Sequence, residues 1–371
     1  MKFIVSSNKL LKFLQSSASL LSTSQSIQYT QYFLLELADG KLKVTATDSE
    51  SMMISTLDVE SESEGSVCVL GRTLLDLIKS LPDQPVTFTL NPDLKVLEII
   101  YETGKANLAV IDTDEYPRMR EIEALAEVRI PTEVLSTAIS KTLFATGNDE
   151  IRLALTGVFF QLTSEGCTFV ATDGHKLSKY KRTDITSDQT SEFIVPKKAL
   201  SIVKNLLPDA ESVLISSNNT NVKFITDDQV FITKLVDARY PMYENVIPKD
   251  NPNQLRIARN SLLSALKRIS IIASKTSNLV KLTINGSMLS VLAEDIELSN
   301  RAEENLPCDY TGADMSIGFN SKNLIEILSN LESEFVRMEM SIPSKPSLVF
   351  PEDGLNEGEE VLMLIMPLMI T

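Results

Sequence analysis

Hydrophobic positions along this chain follow two alternating rhythms. One is a helical stripe: Leu74, Leu77, Ile78 and Leu81 lie at i, i+3, i+4 and i+7. Leu200, Val203 and Leu207, and later Leu324, Ile327, Leu328 and Leu331, repeat that stripe with small shifts. The other rhythm has period two, as in Val86-Thr87-Phe88-Thr89-Leu90. The turn residues Asn91-Pro92-Asp93 separate that run from a second one at 94–101, which predicts a hairpin. Asp39-Gly40, between apolar runs at 33–37 and 42–44, predicts another. Short one-sided helices among antiparallel strands predict an α+β fold with helices on one face of the sheets.

The pattern is written three times. Strand-to-helix starts around Leu10, Leu135 and Leu262 are 125 and 127 residues apart. Second helix starts at Gly71-Arg72-Thr73-Leu74, Pro196-Lys197-Lys198-Ala199 and Asn320-Ser321-Lys322-Asn323 keep nearly the same spacing. So do three strand ends, Ala46-Thr47-Asp48, Ala171-Thr172-Asp173 and Ala293-Glu294-Asp295. A shared period of about one ordinary domain predicts three similar domains, 1–126, 127–252 and 253–371, each with two helices and about eight strands. Joints are expected near Tyr116-Pro117 and Tyr240-Pro241. The six helices are expected at 7–18, 71–82, 131–145, 196–207, 259–275 and 319–333.

Composition narrows the class. Cys68, Cys167 and Cys308 are scattered and odd in number, which argues against a disulfide frame or a zinc site and for a reducing compartment. Lys9 and Lys12 interrupt any signal-like apolar start, and the longest apolar run, 361–370, is too short to span a bilayer. A soluble, cytoplasmic protein without membrane attachment is expected. No phosphate-binding loop, dinucleotide fingerprint, His-Glu-x-x-His or Gly-x-Ser-x-Gly is present, and His175 is the only histidine. Beside Asp173, His175 could suggest acid–base chemistry, although a lone histidine in a turn is more often a hydrogen-bonded structural residue. A non-catalytic protein with no cofactor and no metal is expected.

Net charge is −15, yet the charges are sorted. The six expected helices carry 13 Lys and Arg against 4 Asp and Glu, so they sum to +9 and the rest of the chain to −24. Basic helices can serve solubility alone. Repeated in an acidic chain, they also suit sequence-independent contact with the phosphates of double-stranded DNA. Lys9, Lys12, Arg72, Lys79, Lys141, Lys197, Lys198, Lys204, Lys267, Arg268 and Lys275 are the expected DNA-facing residues. If the three domains join strand to strand, an open array leaves two exposed sheet edges. A ring homodimer would remove both and gather twelve helices around a hole.

The chain resembles the bacterial DNA polymerase III beta subunit family over its whole length. The most specific stretches are Ala171-Thr172-Asp173-Gly174-His175-Lys176-Leu177, Lys234-Leu235-Val236-Asp237-Ala238-Arg239-Tyr240-Pro241, Tyr310-Thr311-Gly312-Ala313-Asp314-Met315 and Met366-Pro367-Leu368. The resemblance implies a ring dimer with pseudo-sixfold symmetry that encircles duplex DNA and tethers the replicative polymerase for processive synthesis. It implies a pocket for a short linear motif shared by the polymerase III catalytic subunit, the clamp loader and other clamp-binding proteins. Carried over, that pocket is Arg152, Leu155, Thr172, Gly174, His175, Lys176, Leu177, Pro241, Val246, Asn320, Ser347, Leu364, Met366, Pro367 and Leu368. The family's pairing of first and third domains implicates Ala106 and Leu108 with Ile271 and Ile272 at the dimer contact. Members often carry an arginine near Val246 and a basic residue near the terminus. This chain has Asn245 and the tail Leu368-Met369-Ile370-Thr371. A scaffold that only presents peptide pockets, without encircling DNA, is the competing reading.

Overall fold

The computed structural model describes residues 1–22, 28–118 and 123–370. Six α-helices appear among them: α1 (Ser7–Ala18), α2 (Gly71–Ser80), α3 (Thr132–Thr142), α4 (Lys197–Leu206), α5 (Arg259–Ile269) and α6 (Ser321–Ser329). Each begins near the expected residue, and several end early for local reasons. A 3-10 turn at Leu143–Ala145 tightens the end of α3, and Pro208 lies in the 3-10 turn that closes α4. The helix α5 stops at Ile269, so Lys275 lies beyond it, its Nζ donating to the Ile271 carbonyl at 3.2 Å.

The expected hairpins are present. Tyr32–Ala38 and Lys41–Thr47 are joined by Asp39 (φ 51°) and Gly40 (φ 72°), the left-handed pair that matches the twist of adjacent strands. Pro85–Asn91 pairs with Val96–Tyr101 across the Asn-Pro-Asp turn. Apolar side chains of the helices bury against the sheets: Leu74 and Ile78 of α2, Leu200 and Val203 of α4, and Leu324, Ile327 and Leu328 of α6 are all fully buried.

Contacts divide the chain into two compact units, Met1–Val134 with Lys198–Leu235, and Leu135–Lys197 with Val236–Thr371. The first holds a 13-stranded antiparallel sheet; the second holds one of nine strands and one of four. This division cuts through the second repeat. The reason is visible in the pairing: strands from successive repeats run edge to edge, so each sheet continues across a joint. In the first unit, Gln229–Lys234 pairs with Ser51–Asp58, from Gln229 opposite Ser55 to Thr233 opposite Ser51. In the second, Glu359–Ile365 pairs with Lys176–Arg182, from Lys176 opposite Ile365 to Arg182 opposite Glu359.

Both joints close with the same backbone bond. Lys234 N donates to the Glu50 carbonyl at 3.0 Å, and Met366 N donates to the His175 carbonyl at 2.9 Å. The last strand of one repeat therefore adds to the fourth strand of the repeat before it. Phe231 and Met53, directly opposite each other at the first joint, are both fully buried. Phe231→Ala should destabilise that unit by about 3–5 kcal/mol, the usual cost of an aromatic truncated in a core. Urea unfolding should show the loss, and hydrogen exchange should rise first in Ser51–Asp58.

Candidate functional site

Around the second joint the sequence builds a rigid turn. Thr172 Oγ1 donates to the Lys176 carbonyl at 2.7 Å and accepts from Gly174 N at 3.1 Å. Asp173 Oδ1 accepts from His175 N at 2.8 Å and Lys176 N at 2.9 Å. Gly174 sits at φ +89°, a backbone conformation that favours glycine, while a Cβ there would only have to push aside the end of the exposed Arg152 side chain. His175 is exposed, and its backbone rather than its ring is engaged, in keeping with a structural turn residue.

Lys176 departs from expectation. Its side chain is buried and lies 2.6 Å from Asp173 Oδ2 and 3.1 Å from Glu326 Oε2 on α6, so the ammonium anchors the turn to a helix instead of lining an open pocket. Burial alone would raise the Asp173 carboxyl. The Lys176 ammonium and the two amide donors outweigh it and hold the group below the ordinary range. Burial would likewise depress Lys176, and its two carboxylate partners overcome that and raise it.

Beside the turn lies an apolar floor. Phe159, Val170, Leu177, Ile194, Tyr240, Tyr243, Leu348 and Leu364 form one buried cluster, with Ala154 packed against it. Leu177 is opposite Leu364, and Leu364 opposite Leu348, so three neighbouring strands put leucines on one sheet face. Tyr240 stacks on Phe159 at 4.5 Å, and Tyr243 meets both rings edge-on. Tyr240 and Tyr243, Phe159 and Leu348 went unassigned in the sequence. The Tyr-Pro joint was their only signal there.

The remaining pocket residues are placed as follows. Arg152 is exposed in the 3-10 segment Glu150–Thr156, its Nε 2.9 Å from Asp149 Oδ2, and the half-buried Leu155 accepts from Gly147 N through its carbonyl. Met366 is half-exposed and tied to His175 by the joint bond. Pro241 and the exposed Val246 flank the tyrosine pair. Asn320 caps α6 by accepting from Lys322 N and Asn323 N, and Leu368 bridges to Gly318 two residues before it. Pro367 is half-buried between Met366 and Leu368.

Ser347 is a second correction. It is fully buried opposite Ile365, on the face away from Leu348 and Leu364, so it supports the strand and does not line the floor. A further feature is the rim. Ile151, Leu153, Met242, Val246 and Met366 are exposed apolar side chains in the segments bordering this floor. Exposed apolar side chains gathered in this way are what a docking surface offers.

The structure is less uniform about the basic residues. Lys9, Lys12, Arg72, Lys79, Lys198, Lys204, Lys267, Arg268 and Lys275 are exposed, and Lys197 is half-buried with Nζ 3.3 Å from Asn148 Oδ1. Lys141 is a third correction: it is buried, donating to the Asn330 carbonyl at 3.0 Å with Glu332 at 3.7 Å. Lys198 pairs with Asp48, and Arg268 forms a two-pronged pair with Glu304 at 2.8 and 2.6 Å. Burial pushes the thiols of Cys68 and Cys167 up to about 12, leaving them inert at neutral pH. No group of three or more metal-ligating side chains occurs among the described residues.

Residues 1–120, 129–242 and 244–368 match, in that order, the family models for the N-terminal, central and C-terminal domains of the DNA polymerase III beta subunit. The chain belongs to the DNA polymerase III beta subunit family. It is 28% identical to the beta sliding clamps of Vibrio cholerae and Escherichia coli, over 99% of this chain and all of each relative. A crystal structure of the Pseudomonas aeruginosa sliding clamp bound to griselimycin superposes with a TM-score of 0.94 at 26% identity, covering both chains fully. The clamp of Bacillus subtilis gives 0.93 at 25%. Sliding-clamp function goes with this family and fold. The three-domain α+β architecture read from the repeat is that of these relatives.

The turn also sets a pH dependence. Asp173 has a lowered pKa in the folded chain, so its stabilisation is complete above the unfolded carboxylate value near pH ~4 and is lost as pH falls through the folded value. Asp173→Asn should cost roughly 1.5–3 kcal/mol near neutrality, the range for a hydrogen bond to a charged group. Amide exchange at His175 and Lys176, followed from neutral pH downward, should show the wild type approaching the variant only once the pH falls below the ordinary carboxylate range.

Proposed function

We propose that the chain, as three domains at 1–126, 127–252 and 253–371, closes as a head-to-tail homodimer around duplex DNA and tethers the replicative polymerase. The observation that carries this reading is the repeated joint. Two copies are made within the chain, and the third is left with both of its edges unpaired. Gly104–Ile111 is paired on one side along its length, but on the other only at Val110 and Ile111. Asn300–Pro307 is the edge of the four-stranded sheet. These are the counterparts of Gln229–Lys234 and Ser51–Asp58. Val110 N donates to the Lys95 carbonyl as Leu235 N does to the Thr220 carbonyl, which fixes the first equivalence.

Carrying the first joint's register across sets Lys105 opposite Glu303 of the partner subunit and Asn107 opposite Arg301 of the partner subunit, on the outer face. Ala106 then lies opposite Ala302 of the partner subunit and Leu108 opposite Asn300 of the partner subunit, on the helix face. Ile271 and Ile272 follow α5, which packs on Asn300–Pro307, so they border the same edge. Pairing the two edges satisfies their free amides and carbonyls and prevents open-ended association.

Exposed Lys and Arg on the helices would hold phosphates through many weak, screened contacts, which suits sliding. The apolar floor and its rim would seat a Gln-Leu-x-Leu-Phe-type motif from the polymerase III catalytic subunit, the clamp loader and other clamp-binding proteins. Two buried anchors at roughly 1.5–3 kcal/mol each supply about 3–6 kcal/mol before ordering costs, so a contact near micromolar, about 8 kcal/mol, needs the motif's polar and backbone contacts as well and stays exchangeable. Weak binding on a shared site lets partners trade places while the ring supplies the persistence. A soluble, non-catalytic role in the bacterial cytoplasm accompanies this reading.

The protein loaded on nicked circular DNA should be retained through gel filtration and lost when the circle is linearised. Equal loss from both forms would leave only the peptide-scaffold reading. Charge reversal at Lys197, Lys198 and Lys204 together should shorten retention, more so as salt rises. For the pocket, Met366→Ala should weaken a Gln-Leu-x-Leu-Phe peptide by roughly tenfold in calorimetric titration, about 1.4 kcal/mol. Equal affinity would remove Met366 from the site.

A further inference from the structure

The third repeat contains an enlargement that the other two lack. In the first, Ala46 pairs with Met53 across the turn; in the second, Ala171 pairs with Ser178; in the third, Ala293 pairs with Ala302. The third turn is therefore two residues longer. The longer turn projects Ile296 and Leu298, which are 86% and 68% exposed. It is not loosely held: Leu298 N donates to Asp295 Oδ1 at 3.2 Å, Ser299 N donates to the Ile296 carbonyl at 3.3 Å, and Ser299 takes φ 55°. Two large aliphatic side chains are thus fixed outward at the end of an unpaired edge strand.

We propose that this turn is an intersubunit clasp, occupied by a second copy of this chain. The proposal rests on the head-to-tail dimer described above and locates a contact outside its strand pairing. At the two joints within the chain, the tip of the corresponding turn accepts the closing bond, through the carbonyls of Glu50 and His175. The same geometry at the third joint brings the tip of the longer turn to Ala109 on the other copy. Beside Ala109 lies a pocket of about 190 Å³ with an apolar wall of Val67, Leu90, Pro92, Val110 and Ile111 and a polar wall that includes Asp114 and the pair of Lys95 with Asp112 at 3.3 Å. An aliphatic side chain from the turn packs on the apolar wall of that pocket. The extra residues supply reach that a turn of ordinary length lacks. The clasp adds apolar burial to a joint in which Leu108 is the one large apolar side chain among the strand pairs.

The experiment compares wild type, Ile296→Asp with Leu298→Asp, and Lys105→Glu by sedimentation, with motif-peptide affinity as the control for folding. The clasp variant should raise the dimer dissociation constant on the order of 30-fold and leave peptide affinity unchanged. In a second arm, Leu298→Cys combined with Lys95→Cys should give disulfide-linked dimers under mild oxidation. A dimer constant within about twofold of wild type and no linked dimer, while Lys105→Glu still weakens the dimer, would overturn the clasp and leave the dimer standing. A wild type that is monomeric throughout would bring down the dimer reading and the clasp with it.

Discussion

An unpaired strand edge is costly and adhesive, because its amides and carbonyls must find partners or water. The fold is organised around that constraint. The second and third repeats each end in a strand that adds to the fourth strand of the preceding repeat, closing with a bond to the turn beside it. A chain of three repeats can make this joint twice. It necessarily carries one donor strand and one acceptor strand left over. Oligomerisation is in this sense a remainder of the topology, and self-association in closed form is what keeps such edges from forming open fibres.

The same joint accounts for the proposed partner pocket lying at one place. Thr47, Ser49, Glu50, Met52, Pro117 and Lys234 line a pocket of about 200 Å³ at the first joint, the counterpart of the site around Thr172, Gly174, His175, Leu177, Pro241 and Met366. At the first joint Lys234 reaches Glu50 at 3.1 Å, placing an ion pair where the second joint has Met366 and His175. An exposed pair contributes little to stability, but it puts charge where an apolar anchor would have to sit. Methionine at the equivalent position is apolar and adaptable, which suits a surface that receives several sequences. Sequence divergence at two positions thus separates a structural joint from the proposed recognition site.

The repeat, the hairpins and the helix starts were legible because each has a local cause: Asp39-Gly40 in its two-residue turn, the leucine stripe of α2, the threefold spacing itself. What escaped was anything decided by a residue distant in sequence. Lys141 read as a DNA-facing cation and Lys176 as a pocket residue, yet one is spent on the Asn330 carbonyl and the other on Asp173 and Glu326. Ser347 shares a strand with Leu348 but faces the other way, and only the register reveals which of the two reaches the floor. Lys275 was carried past the end of α5, because nothing in Ser270-Ile271-Ile272 announces a stop. The enlarged turn at 296–299 escaped too, because only the strand register shows that it is two residues longer than its counterparts.

These losses refine the electrostatic argument. A bare count of helical Lys and Arg overstates the free positive charge, since Lys141 is buried and Arg268 and Lys198 hold carboxylates of their own fold. Exposed pairs of that kind are weak and can be exchanged for phosphate contacts at little cost. Lys141 has no such freedom, because breaking a buried interaction strands its charge. The population that can respond to DNA is therefore the exposed subset on α1, α2, α4 and α5, each member of which contributes a small, salt-sensitive increment. Such a surface cannot hold DNA tightly at any one register, and for a protein that must move along the duplex that is the useful property: persistence has to come from topology, and topology returns to the two strand edges that the chain leaves open.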